Sequence, residues 1–158
     1  MSRRRTRGGL ARGVAASAVV AAGLLTLITA RKRLLSVTVV GESMAPTYQD
    51  GQRLIVRRAR RARVGQVVVL SNRGKDHQLG RAADPGPELL VKRLAALPGD
   101  LVPAQVLGSV GETAGARVPP GRIVVLGDSP SSLDSRSWGY LERDRLVGVV
   151  LRTPVANL

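Results

Sequence analysis

The chain has no cysteine, so disulfides, thiolate metal sites and cysteine nucleophiles are excluded. It has a single histidine, His77, which rules out a multi-histidine metal centre and any His/Cys zinc cluster. No metal and no other cofactor is expected. Only Tyr48, Trp138 and Tyr140 are aromatic, too few for the platforms on which single-stranded nucleic acid stacks. Lysines are equally few: Lys32, Lys75 and Lys92. Acid is missing from residues 1–33, which hold eight basic residues, whereas residues 34–158 hold the other 17 together with all 11 acids. The formal net charge of +14 invites a nucleic-acid or anionic-membrane partner. Much of it, however, belongs to the terminal segment, and in the body the acids are interspersed with the arginines. An arginine- and alanine-rich, lysine-poor composition also fits a GC-rich genome. Nucleic acid is therefore not expected as a partner.

What the terminal segment does hold is an uncharged run at 13–30, GVAASAVVAAGLLTLITA, between five arginines and Arg31-Lys32-Arg33. Eighteen residues at about 1.5 Å each reach roughly 27 Å, close to the thickness of a hydrocarbon core. The run is expected to be a transmembrane helix, with 1–12 as a basic cytoplasmic tail. The heavier positive charge on its upstream side puts the N-terminus in the cytoplasm and residues 34–158 outside, as a single-pass protein of the cell membrane. A cleavable signal peptide is the competing expectation. Its apolar core is ordinarily ~7–15 residues, and Arg31-Lys32-Arg33 would be a poor start for a mature chain.

Residues 34–158 alternate between apolar, β-branched runs and turn signals. The runs are 35–40, 53–56, 66–70, 89–94, 122–126 and 146–151; Asp50-Gly51, Pro98-Gly99-Asp100, Pro119-Pro120-Gly121 and Gly127-Asp128 stand between them. No amphipathic pattern of twelve residues appears. The expected fold is all-β, a small barrel-like or folded sheet. The polar, Gly/Pro-rich stretches 71–88 and 104–117 are expected to be loops.

Ser43 stands where one strand run breaks into a corner, in VVGESMAP. A serine hydroxyl is a weak nucleophile unless a neighbouring base takes its proton. His77 is the only histidine, and it lies in a loop-like stretch with nothing to fix it. Arginine stays charged and cannot act as base. A carboxylate is an uncommon partner. Lys32 adjoins the apolar run, and Lys75 shares the loop of His77. Lys92 follows Leu89-Leu90-Val91 and precedes Arg93-Leu94 on a strand run, where apolar neighbours such as Leu90 and Leu94 would desolvate its amine and lower its pKa. Pattern alone does not separate that role from a strand-edge lysine that guards against aggregation.

Three stretches, in order, separate them by resemblance. GESMAPT (41–47), VKRLAALPGD (91–100) and VVLGDSPSSLDSRSWG (124–139) resemble the serine, lysine and Gly-Asp…Ser-X-Asp-Ser-Arg boxes of the type I signal peptidases. These are serine–lysine endopeptidases that remove signal peptides from exported proteins. The resemblance implies Ser43 as nucleophile and Lys92 as general base. It further implies Ser132 as the hydroxyl that orients the lysine, Asp134 and Arg136 as a bracing pair, and Asp128 as a further structural acid. Gly41 falls where some members have a serine that donates to the oxyanion. Ser129-Pro130 stands where an asparagine is usual, and Ala96 where a glycine is. The implied partners are signal-peptide-bearing precursors and the lipid bilayer. A maturation protease dedicated to one precursor would share every one of these residues. A non-catalytic basic membrane or nucleic-acid-binding protein would account for the charge and leave the three boxes unexplained.

Overall fold

The computed structural model of the chain describes residues 33–72 and 88–151. The expected tail (1–12) and anchor (13–30), with Lys32, Lys75 and His77, lie outside the described residues. Among the described residues no helix is long and apolar enough to cross a membrane.

Each of the six apolar runs forms a strand: β1 (Leu34–Thr38), β2 (Arg53–Arg58), β3 (Val67–Ser71), β4 (Leu89–Ala96), β5 (Arg122–Leu126) and, last in the chain, β7 (Leu146–Val150). A two-residue strand, β6 (Leu141–Glu142), has too little sequence to show a period. The strands form one sheet in the order β1-β2-β7-β3-β4-β5-β6. The pairings β2–β7, β3–β7, β3–β4, β4–β5 and β5–β6 are antiparallel. The fold is thus mostly antiparallel β with a few helical turns, and the strand order is open, with β1 and β6 at its ends. One expectation is corrected. Within 104–117, residues Ala104–Val106 and Leu107–Val110 form short helical turns, because Val106 and the flanking Val102 and Val118 turn inward onto Ala96 and Val124.

The apolar runs of β3 and β4 lack polar alternation because both faces of these strands are covered. Val67, Val69 and Val91 face a cluster with Val37, Val39, Met44, Leu54 and Val56. Val68, Leu70 and Leu94 face another with Ile123, Val125, Leu141, Leu146 and Val149. Two register shifts redistribute the faces. Between β3 and β7, Val69 opposes Gly148 but Leu70 opposes Leu146, so Val147 is an extra residue. Leu146 and Val149, three apart, thereby reach the same cluster. Between β4 and β5, Leu94 opposes Val125 and Ala96 opposes Val124, so Ala95 is extra. Leu94 and Ala96 then serve different clusters, although a plain strand would send both to one.

The loop from β1 to β2 carries Ser43, and its next residue holds it down. Met44 is 0% exposed and fills the cluster beneath β1 and β2. Gly51 N–H donates to Val39 O at 2.9 Å and Tyr48 N–H to Met44 O at 2.9 Å, closing the loop around that side chain. Met44→Ala should therefore lower unfolding free energy by about 2–5 kcal/mol, the usual range for emptying such a site. Denaturant titration of the purified chain checks this; a loss below about 1 kcal/mol would mean that the loop is held by its hydrogen bonds alone.

Candidate active site

Lys92 is the fourth residue of β4 and pairs with Val68 across β3. Leu90 and Leu94 lie two residues to either side on the same strand face and belong to the Val68 cluster. The lysine is 4% exposed. Its Nζ donates to Ser132 Oγ at 2.8 Å and lies 5.8 Å from the centre of the Trp138 ring. Burial lowers its pKa from 10.5 to about 8; the negative charge of Asp134 pulls it back up, and Arg136 pushes it down again. Near neutral pH the amine is therefore a mixture of charged and neutral forms, which an exposed lysine is not.

Ser43 and Lys92 line one small cavity with Thr38, Val39, Val40, Leu89, Leu90 and Val91. Among the described residues the Ser43 backbone N–H has no hydrogen-bond partner. Gly41 has φ +81°, the left-handed region that favours glycine, and its N–H is donated to Asp50 Oδ1 at 2.7 Å. That N–H is engaged in shaping the turn.

The stretch after β5 closes the site. Ser129 N–H donates to the Ser43 carbonyl at 3.2 Å, joining the two loops directly. The Ser129 carbonyl also accepts from Arg136 Nη2 at 3.0 Å. Asp134 is 0% exposed and fully engaged. Its Oδ2 accepts from Gly127 N–H and Arg136 Nη2, each at 2.7 Å, and its Oδ1 from Arg136 N–H at 3.0 Å and Arg136 Nε at 2.9 Å. Burial pushes this carboxyl upward, but the bonds from Arg136 and Gly127 outweigh it and hold the pKa below the ordinary range. Asp134 also caps the helical turn Ser135–Trp138, which sets Trp138 beside Lys92.

Asp128 ties three stretches together. Arg93, next to Lys92, donates to it through Nε at 2.7 Å and Nη2 at 2.5 Å, and Thr47, from the serine loop, through Oγ1 at 2.5 Å. The Arg93 bond, with help from Thr47, holds the Asp128 pKa low. Arg93 Nη1 continues to Gly65 O at 2.8 Å.

Sequence reasoning passed over Thr47, Arg93, Gly127, Ser135 and Trp138. All five sit inside the three quoted stretches, and that placement was the available signal. Ser135 is buried, and its Oγ accepts from Val125 N–H at 3.0 Å. At Gly127 a Cβ would overlap Ser132 Oγ and the Ser43 carbonyl oxygen, so only glycine lets the two loops meet there. Among the described residues no group of three potential metal ligands occurs.

A loop serine and a buried strand lysine thus line one cavity of a small, mostly antiparallel β domain. Residues 12–109 and 104–153 match the family described as signal peptidase, peptidase S26. The chain belongs to that family, which implies a peptidase whose substrates are precursors bearing signal peptides. No curated protein matches the chain.

Two outcomes are expected from this geometry. Arg136→Ala leaves a buried carboxylate without its guanidinium and should cost about 3–5 kcal/mol. Asp134→Ala should cost less, because the Arg136 side chain is 29% exposed and can be hydrated. Denaturant unfolding of both variants at pH 7 reads the order. Since the carboxyl pKa is depressed, this support exists above the ordinary carboxylate range and is lost as pH falls through the lowered value. Gly127→Ala should lower kcat/KM by about 10²-fold or more while the β circular-dichroism spectrum persists, because it displaces Ser43 and Ser132 together. Full activity in that variant would mean that the loops can separate at no cost to the chemistry.

Proposed function

We propose that the chain is a membrane-anchored serine endopeptidase that cleaves signal or leader peptides from exported precursors with a Ser43–Lys92 dyad. The observation that carries this reading is the amine of Lys92: buried, held by Ser132, lowered to a pKa of about 8, and lining one cavity with Ser43.

A neutral lysine amine has two N–H groups and one lone pair. One N–H directed to Ser132 fixes its rotation and leaves the lone pair for the Ser43 hydroxyl. Ser43 Oγ attacks the scissile carbonyl as its proton passes to Lys92 Nζ. The oxyanion is met by the backbone N–H of Ser43. The resulting ammonium, steadied by the charge of Asp134, returns the proton to the leaving amine, and water then releases the acyl group by the same path. Arg136 offsets part of the Asp134 charge, so that the amine is not fixed in its protonated form. The walls of the cavity (Val39, Val40, Leu90, Val91) leave room for small side chains before the cut, and the substrate lies extended against the strand edges. Residues 13–30 hold the domain at the membrane, with the N-terminus in the cytoplasm and the catalytic domain outside; this rests on the charge asymmetry around that run.

The test is cleavage of an Ala-X-Ala precursor in membranes that carry the full chain. Ser43→Ala and Lys92→Ala should each lose about 10⁴-fold or more. Lys92→Arg, which keeps the charge but not the lone pair, should be as inactive. The acid limb of kcat/KM should lie near the Lys92 pKa of about 8, with a rate that falls about tenfold per pH unit below it, because only the neutral amine accepts a proton. A limb near pH 6.5 that disappears in His77→Ala would place the base on the histidine instead.

A further inference from the structure

The acids are not interspersed with the arginines everywhere in the body. Residues 51–75 contain no Asp or Glu and no aromatic residue, yet they contain Arg53, Arg57, Arg58, Arg60, Arg61, Arg63, Arg73 and Lys75. The densest part is RRARRAR at 57–63, the end of β2 and the strap that follows it. The pattern repeats every three residues, and the structure shows what the period does. Ala59 and Ala62 turn inward and pack against the Val68 cluster. Arg57, Arg58, Arg60, Arg61 and Arg63 all remain exposed. Among the described residues none of their guanidinium groups has an ion pair or hydrogen bond. The arginines that support the site, Arg93 and Arg136, are by contrast each paired with a carboxylate and bonded to a backbone carbonyl as well.

Five like charges held at close spacing by two inward alanines repel one another and contribute nothing to the core. Such a row fits a surface of opposite sign. Large apolar side chains stand exposed at both ends of it: Ile55, 40% exposed, and Val64, 51% exposed. Arginines mixed with exposed aliphatic residues suit the headgroup layer of a bilayer, where charge meets phosphate and the aliphatic groups enter the acyl boundary. A nucleic acid would find no ring to stack on along the whole acid-free stretch. β1 begins four residues after the uncharged run 13–30 and is the sheet neighbour of β2.

We propose that the Arg57–Arg63 strap is a docking surface for anionic phospholipid headgroups, which fixes the orientation of the domain on the bilayer. The strap lies outside the Ser43–Lys92 cavity, and the proposal does not depend on the chemistry of that dyad. It draws on the reading of 13–30 as an anchor only for the nearness of the membrane.

The test reads arginine accessibility in the full chain mixed with vesicles. Phenylglyoxal modification, mapped by mass spectrometry, is compared between phosphatidylcholine vesicles and vesicles with about 30% phosphatidylglycerol, which supplies the negative surface potential. Co-flotation with phosphatidylcholine alone reports on the anchor; the strap is read from the modification of its own arginines, because the basic residues of 1–33 also favour the anionic vesicles. At about 0.1 M salt, Arg57, Arg58, Arg60, Arg61 and Arg63 should react at least about tenfold more slowly on the anionic vesicles, and about 1 M salt should abolish the protection. Arg117, outside the strap, should react alike on both. Each arginine near an anionic surface is worth about fivefold in affinity, so R60Q/R61Q should lose protection of the remaining three at lower salt. Both replaced side chains are exposed, which leaves the core intact. Equal reactivity in the two vesicle types would overturn the proposal. So would stronger protection by a short DNA duplex than by the anionic vesicles at the same salt, since that would make nucleic acid the partner.

Discussion

Water is kept from one amine, and much of the surrounding architecture follows from that. A lysine in the middle of a strand ordinarily turns its ammonium to solvent. Lys92 cannot, because the face it occupies on β4 is the inner face of a cluster built from β3, β5 and β7. The cost of burying a charge is large unless the charge is paired or given up. Here neither extreme is reached. Asp134 lies near enough to favour the ammonium, Arg136 sits on that carboxylate and weakens its pull, and burial lowers the pKa to about 8, so that a minor share of the amine is neutral near pH 7. The ion pair next to the lysine thus acts as a regulator of its charge as well as a brace.

The two acids after β5 divide the mechanical work. Asp134 acts inward: it caps a helical turn, holds Gly127 N–H and places Trp138 beside the amine. Asp128 acts outward: it gathers Thr47 and Arg93, so the serine loop and the lysine strand meet at one carboxylate. These are charge-assisted bonds with short, directional geometry, stronger than neutral ones and better at fixing position. A loop that carries an exposed side chain gains its precision from such supports rather than from its own backbone.

Reading the sequence alone found the strands because an apolar run between turn residues is a local signal. It missed β6, which is set by its pairing with β5 through Arg122 and Glu142 rather than by its two residues. It took 104–117 for loop because the four-residue turn Leu107–Val110 buries no side chain fully and so leaves no periodic mark. At the site, Ser43, Lys92, Ser132, Asp134, Arg136, Asp128 and Gly41 could be named from three short stretches. The bonds among those stretches could not. Thr47 is 81 residues from Asp128, and Lys92 is 40 from Ser132. Contacts at that separation depend on the register of β4 and β5, which an apolar run does not announce. The need for glycine at 127 is likewise invisible until the Ser43 carbonyl is seen to lie against it.

The surplus residue at Ala95 divides β4 into two phases. Side chains before it count odd and even one way, and those after it count the other way, so Lys92 and Ala96 answer to different rules although they share a strand. Shortening the chain by one residue between Arg93 and Leu97 would therefore do more than remove a contact. It would re-pair Ala96 and all that follows with the wrong side of the sheet, or else force Lys92 to turn over. The register thus makes this segment rigid in length, whatever its composition. The strand connections carry no such constraint, while the distance from the lysine to the Pro98-Gly99 corner is fixed by parity.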